Sequence, residues 1–193
     1  MRLRKLRDDE LSTRQRRLSL RIAGRRGATR GPFLVWLHSP ELCDRVEALG
    51  AYVRYDSSLE LRIRELILLI AARYWDAQYS WNAHVEKAVD AGISRTSLDA
   101  LARRRPPEFG RREEQVVYAF CTELLERHFV ADGTFAEAHE LFGDQGVVDI
   151  VGTLGNFSML AMCLNAFEVD LQPDRVPPFP DVEGYAKVVL TES

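Results

Sequence analysis

Residues 64–92 read RELILLIAARYWDAQYSWNAHVEKAVDAG, and the reading of this stretch decides the fold. Its first half, Leu66 to Ala72, is an apolar run on a helix that carries Glu65. A sharp break is predicted near Asp76, a good N-cap residue. A second helix is predicted from Ala77 to Gly92, with glycine as its stop. Ala77, Ser80, Trp81, His84 and Ala88 recur at helical spacing and share one face. A connection this short favours antiparallel packing, which brings Glu65 within reach of His84.

Working outward, no alternating apolar–polar pattern persists beyond a few residues, so the chain is all-α. Its 193 residues suit one domain, 1–193, with a frayed basic arm at 1–10 and an extended Pro-rich tail over about 168–193. Upstream, Ser12-Thr13-Arg14-Gln15 fits a capping box opening a helix that ends before Gly24. Phe33 to His38 is a short apolar piece. Ser39-Pro40-Glu41 starts a helix to about Tyr52, with Leu42, Val46 and Leu49 inward. Ser57 or Ser58 is expected to cap the helix that holds Glu65. Downstream, Ser94 opens a short helix, a long one spans about Arg111 to Phe129, and Thr134 caps another to Leu141. Gly143 breaks the chain. Asp144 opens a helix to about Phe167 that is apolar nearly all round and therefore central. Asp149 and Asn156 inside it argue against a membrane span. Its Gly152 and Gly155 admit a close neighbour, and a Pro-rich tail of this kind often wraps one, so a homo-oligomer is expected.

Charge is unevenly placed. Residues 1–30 carry eleven Lys or Arg and three acids, about +8, which leaves −11 on the rest. The arm lacks interleaved aromatics, so its charges are expected to pair with the acidic body or a neighbouring subunit rather than with nucleic acid. Cys43, Cys121 and Cys163 are too far apart for a metal or CxxC spacing and read as buried thiols. An Arg-rich start without an apolar segment does not read as a signal peptide, and a cytoplasmic location follows.

Five short pieces in order then carry a resemblance: Arg30-Gly31-Pro32-Phe33, His38-Ser39-Pro40-Glu41-Leu42, Arg62 to Leu66, Tyr79-Ser80-Trp81-Asn82-Ala83-His84, and Leu164-Asn165-Ala166-Phe167. Over about residues 10–170 the chain resembles the carboxymuconolactone decarboxylase family, kin of the alkyl hydroperoxidase D-like proteins. The resemblance implies an all-α fold and homotrimers or homohexamers. Peroxidase-type members carry Glu, CxxC and then His; here the Glu matches Glu65 and the His matches His84, while the cysteine positions hold Ala77 and Ser80. Thiol-based peroxide reduction needs both sulfurs, so the decarboxylase-like branch is implied. That branch uses no metal or organic cofactor. It acts on a small carboxylated lactone or enolisable acid by His/Glu proton transfer, with His84 and Glu65 as catalytic residues. Ser80, Trp81, Arg30 and His38 are the substrate-binding candidates. Read as residues alone, Glu65 also fits a pair with Arg62 or Arg64, Trp81 fits a wall, and Arg30 fits a solvated loop. A non-catalytic ligand-binding or scaffold oligomer of the same fold is the alternative, and an alkyl hydroperoxidase D-like peroxidase a remoter one.

Overall fold

In the computed structural model, which describes residues 1–179, 181 and 182, eight α-helices and no strands are present among the described residues. They are α1 (Thr13–Arg26), α2 (Pro32–Trp36), α3 (Pro40–Ala51), α4 (Leu61–Tyr74), α5 (Gln78–Asp90), α6 (Arg95–Ala102), α7 (Arg112–Arg127) and α8 (Asp132–Ala166). A π-helical turn, Tyr52–Asp56, follows α3.

The all-α reading holds, and α4 is the axis of the fold. It packs against α5, α7 and α8. Ile63, Leu66, Ile67 and Leu69 are 0–1% exposed, each contributing about 1.5–3 kcal/mol of burial free energy. A second apolar cluster joins Leu18 and Ile22 of α1, Phe33 and Trp36 of α2, Cys43 and Val46 of α3, and Leu164 near the end of α8. α8 is central, as expected of its composition, and bends where the sequence marks a break: Gly143 has φ 64° and ψ −177°, a conformation essentially closed to side chains.

Local chemistry explains the starts and stops, with corrections. Ser12 and Gln15 form the expected capping box, but α1 runs through Gly24 to Arg26. The two serines at 57 and 58 do not cap α4, whose N-cap is Glu60. Instead Ser57 Oγ, Ser58 Oγ, the Ser58 amide and the Tyr52 hydroxyl all donate to the buried Asp149 carboxylate of α8, at 2.7–3.0 Å. Asp76 does not cap α5 either. It takes a positive φ of 52°, and its carboxylate pairs with Arg73 and Arg104. On α3 the buried face is Cys43, Val46, Glu47 and Gly50, whereas Leu42 and Leu49 are exposed. Burying Glu47 turns the helix this way, because its carboxylate meets Arg21 and Arg25 of α1.

The N-terminal arm and the described segment after α8 are held rather than loose. Met1 pairs its ammonium with Asp170 at 2.9 Å, and the Arg2 amide donates to the Phe167 carbonyl. Much of the basic charge of α1 is matched by acids of α3 through Arg14–Glu41 and Arg21–Asp44. After α8 the chain doubles back across its own helices. Phe179 is 1% exposed, edge-on to Trp81 at 5.2 Å and under the Arg73 guanidinium at 4.4 Å. Arg73 also grips Asp181, so the described residues 168–179, 181 and 182 form a strap across α5. The remainder of the expected tail lies outside the described residues.

Candidate active site

α4 and α5 lie against each other, and this brings Glu65 and His84 together. Glu65 Oε2 lies 2.7 Å from His84 Nδ1. Both side chains are largely buried, with 7% and 13% of their surface exposed. Burial raises the Glu65 pKa, but the bond to His84 and the charges of Lys87 and Arg54 outweigh it and hold the carboxyl below its ordinary value. Burial is also the largest influence on His84 and pushes it below its ordinary value, against the pull of Glu65. The two directions agree on one state. A neutral imidazole donates its Nδ1–H to an ionised carboxylate, which leaves Nε2 as the basic nitrogen.

His84 opens on a cavity of about 330 Å³ where the two apolar clusters meet. Phe33, Trp36, Val46, Leu68, Phe157 and Leu160 supply apolar wall. The Phe157 ring lies beside the imidazole, 6.4 Å between centroids. The first turn of α5 contributes Tyr79 and Ser80. Tyr79 sits there because Gly31 makes room: a side chain at position 31 would meet its ring at 2.8 Å, and φ of +60° disfavours one anyway. Polar lining comes from Asn82, Asn156 and Gln172.

The cations are the main chemical feature. Arg26, Arg30, Arg54, Lys87 and Arg175 line the cavity, and among the described residues no carboxylate does. Among the described residues none of the five forms an ion pair. Burial, followed by the neighbouring Arg54, lowers the pKa of both Arg26 and Lys87. Glu65 stands behind His84 and also lines a second, more open pocket with Arg54, Arg64, Lys87 and Asp90. Positive charge focused in an apolar concavity attracts an anion.

Of the six residues singled out in the sequence, four converge: His84, Ser80 and Arg30 line the cavity, and Glu65 supports His84. Trp81 lies behind the wall, buried in the core against Phe179. His38 is exposed, with Nε2 3.1 Å from the Arg4 carbonyl oxygen, and does not line the cavity. Sequence reasoning missed Arg26, Arg54, Arg175 and Asn156. Lys87, three residues after His84 and on its side of α5, was the one with a readable signal.

Comparison with known proteins agrees with the fold. Residues 40–120 match the model of the carboxymuconolactone decarboxylase family. No functionally curated protein matches the sequence. Among solved structures, an uncharacterised peroxidase-related protein from Ralstonia eutropha JMP134 with an alkylhydroperoxidase AhpD core superposes with a TM-score of 0.75. The identity is 18%, over 91% of this chain and 97% of that one. A protein of unknown function from Agrobacterium tumefaciens, a putative antioxidant defence protein AhpD, gives 0.63 at 21% identity, covering 72% and 95%. The debrominase Bmp8, bound to 2,3,4-tribromopyrrole, gives 0.67 at 13% identity, covering 87% and 90%.

Proposed function

From the premise that the chain belongs to the carboxymuconolactone decarboxylase and AhpD-like superfamily, we propose that it is a decarboxylase-like enzyme acting on a small carboxylated lactone or enolisable acid. The observation that carries the reading is the Glu65–His84 pair opening on an apolar cavity lined by five cations that form no ion pair among the described residues. The proposed site works in the cytoplasm, in a homotrimer or homohexamer, without metal or organic cofactor.

The chemistry follows from the charges. An anionic substrate entering beside His84 offsets the burial that keeps the imidazole neutral, so Nε2 takes up a proton from solvent. Glu65, bonded at Nδ1, fixes the tautomer and stabilises the imidazolium. The substrate C–C bond to its carboxylate then breaks and CO2 leaves. The electron pair passes into the conjugated carbonyl as an enolate, whose oxygen is stabilised by the cationic wall. Nε2–H delivers its proton to carbon, so one proton is consumed per CO2 released.

Thiol peroxide reduction is not supported by this site. Ala77 and Ser80 stand where it would need sulfur, and the three cysteines are buried. Burial pushes Cys43 up to about 11 and Cys163 to about 12, and raises Cys121 further, so none is a thiolate at neutral pH. The test of the proposal is CO2 release from a panel of carboxylated lactones and enolisable acids, compared between wild type and His84→Ala.

A further inference from the structure

Asp149 stands among Val147, Val148, Ile150 and Val151, a carboxylate on an otherwise apolar stretch of α8, and it is buried. A buried charge is costly unless it is bonded. Burial raises the Asp149 pKa, but bonds from Ser58, Tyr52 and Ser57 outweigh it and hold the carboxyl below its ordinary value, so it is ionised. Asp149 lines neither pocket.

Its donors all belong to one piece of backbone. The π-helical turn closes with the Ser57 amide on the Tyr52 carbonyl at 2.9 Å, the i→i+5 bond of that geometry. Tyr52 and Ser57, the two residues this bond joins, both give their hydroxyls to Asp149, each at 3.0 Å. Ser58 adds its amide at 2.8 Å and its hydroxyl at 2.7 Å. One carboxylate therefore clasps both ends of the turn. From α4, Arg64 donates to the carbonyl of Arg54 at the middle of the turn. π-turns are rare and occur frequently at functional sites.

What this turn presents is Arg54. Its side chain lines the His84 cavity and also the second, more open pocket. A long side chain with two places to lie is directed by where its backbone is fixed. After burial, which is the largest influence on each of them, the Arg54 charge acts on the titration of Arg26, Lys87, Glu65 and His84 alike.

We infer that Asp149 is a positioning residue for the active site: by clasping Tyr52, Ser57 and Ser58 it fixes the π-helical turn that holds the Arg54 guanidinium in the His84 cavity rather than in the outer pocket. This deepens the proposed function and rests on it only for the use the enzyme makes of Arg54.

The test follows the His84 ring-proton titration in the full chain labelled with 13C-histidine, the signal being assigned by its absence in His84→Ala. It needs no substrate, so its failure and that of the decarboxylation reading are told apart. The charged groups acting on the imidazole are Glu65 from α4, Lys87 from α5 and Arg54 from the turn. Arg54→Gln removes a cation and should move the midpoint upward. Asp149→Asn should also move it upward, because Arg54 is released. Neutralising Asp149 takes away a negative charge, whose direct effect through space has the opposite sign, so a rise reports the cation. A general loosening that wets the ring would raise the midpoint too, and the double variant separates the two causes: added to Arg54→Gln, Asp149→Asn should give no further rise. Tyr52→Phe keeps every charge and the ring while removing one donor of the clasp. It should act in the same direction, and it decides the matter if Asp149→Asn fails to fold. The inference is overturned by a midpoint that stays put or falls in the clasp variants, by one that Arg54→Gln leaves unmoved, or by a clasp effect as large in the Arg54→Gln background as in wild type.

Discussion

Replacing Glu65 by glutamine gives a quantitative test of the pair. The bond between Glu65 Oε2 and His84 Nδ1 is 2.7 Å long and joins two groups whose side chains are 7% and 13% exposed, so solvent screens it little. Burial lowers the His84 pKa from the ordinary 6.5, and Glu65 partly restores it. A hydrogen bond to a charged group is worth about 1.5–3 kcal/mol, so its loss should lower the His84 titration further. The assay is the ring-proton chemical shift of His84 against pH in 13C-histidine-labelled protein, with the signal assigned by its absence in His84→Ala. A midpoint that stays put or moves upward in Glu65→Gln refutes the claim that an ionised carboxylate supports the imidazole. The same directions set the pH dependence of stability. His84 binds its proton more weakly folded than unfolded, so the unfolded state holds more protons just below pH 6.5 and stability falls as pH falls through that range. Glu65 is likewise depressed from 4.5 and adds a second loss below that value. Denaturant unfolding of His84→Ala should lack the first of these two losses.

Three further predictions concern the rest of the molecule. Phe179→Ala should destabilise by about 3–5 kcal/mol, because a fully buried ring against Trp81 and Arg73 is lost; a thermal shift equivalent to less than about 1 kcal/mol would show that the strap does not hold the fold. Native protein should leave Cys43, Cys121 and Cys163 unreacted with a thiol reagent at neutral pH and show no dithiol-driven peroxide reduction; thiol-dependent turnover that vanishes in the triple Cys→Ser variant would contradict the burial argument. Light scattering should report a trimer or a multiple of it, given the exposed apolar Val148, Val151 and Met162 on one side of α8, and a 22.0 kDa monomer would refute this.

Much of the fold was legible because it rests on local periodicity. The all-α class, the α4–α5 pair and the break at Gly143 each follow from residues close together in sequence. Errors arose where distant partners overrode a local preference. Asp76, a sound N-cap by type, is taken by Arg73 and Arg104; Ser57 and Ser58 are claimed by Asp149 some ninety residues away. The tail was expected to embrace a neighbour, and nothing in its prolines announces that Phe179 seats between Trp81 and Arg73 of its own subunit. The site divides in the same way. Glu65 and His84 share a readable two-helix geometry, whereas the cationic wall draws one residue each from five parts of the chain: α1, the loop after it, the π-helical turn, α5 and the strap. Arg26 in particular looks like one more charge of a basic segment until the fold sets it over Phe33 and beside Asn156.

The most direct test of the central claim is turnover per folded molecule in His84→Ala, with CO2 release and solvent deuterium incorporation followed on the best substrate of the carboxylated panel and melting temperature recorded on the same preparations. The account predicts a fall of about 10²–10⁴ in rate with the fold retained, and little additional loss when Glu65→Gln is combined with it, since the two residues act as one unit. Wild-type turnover in folded His84→Ala, with only the melting temperature lowered, would make His84 a satisfied core residue and contradict the account.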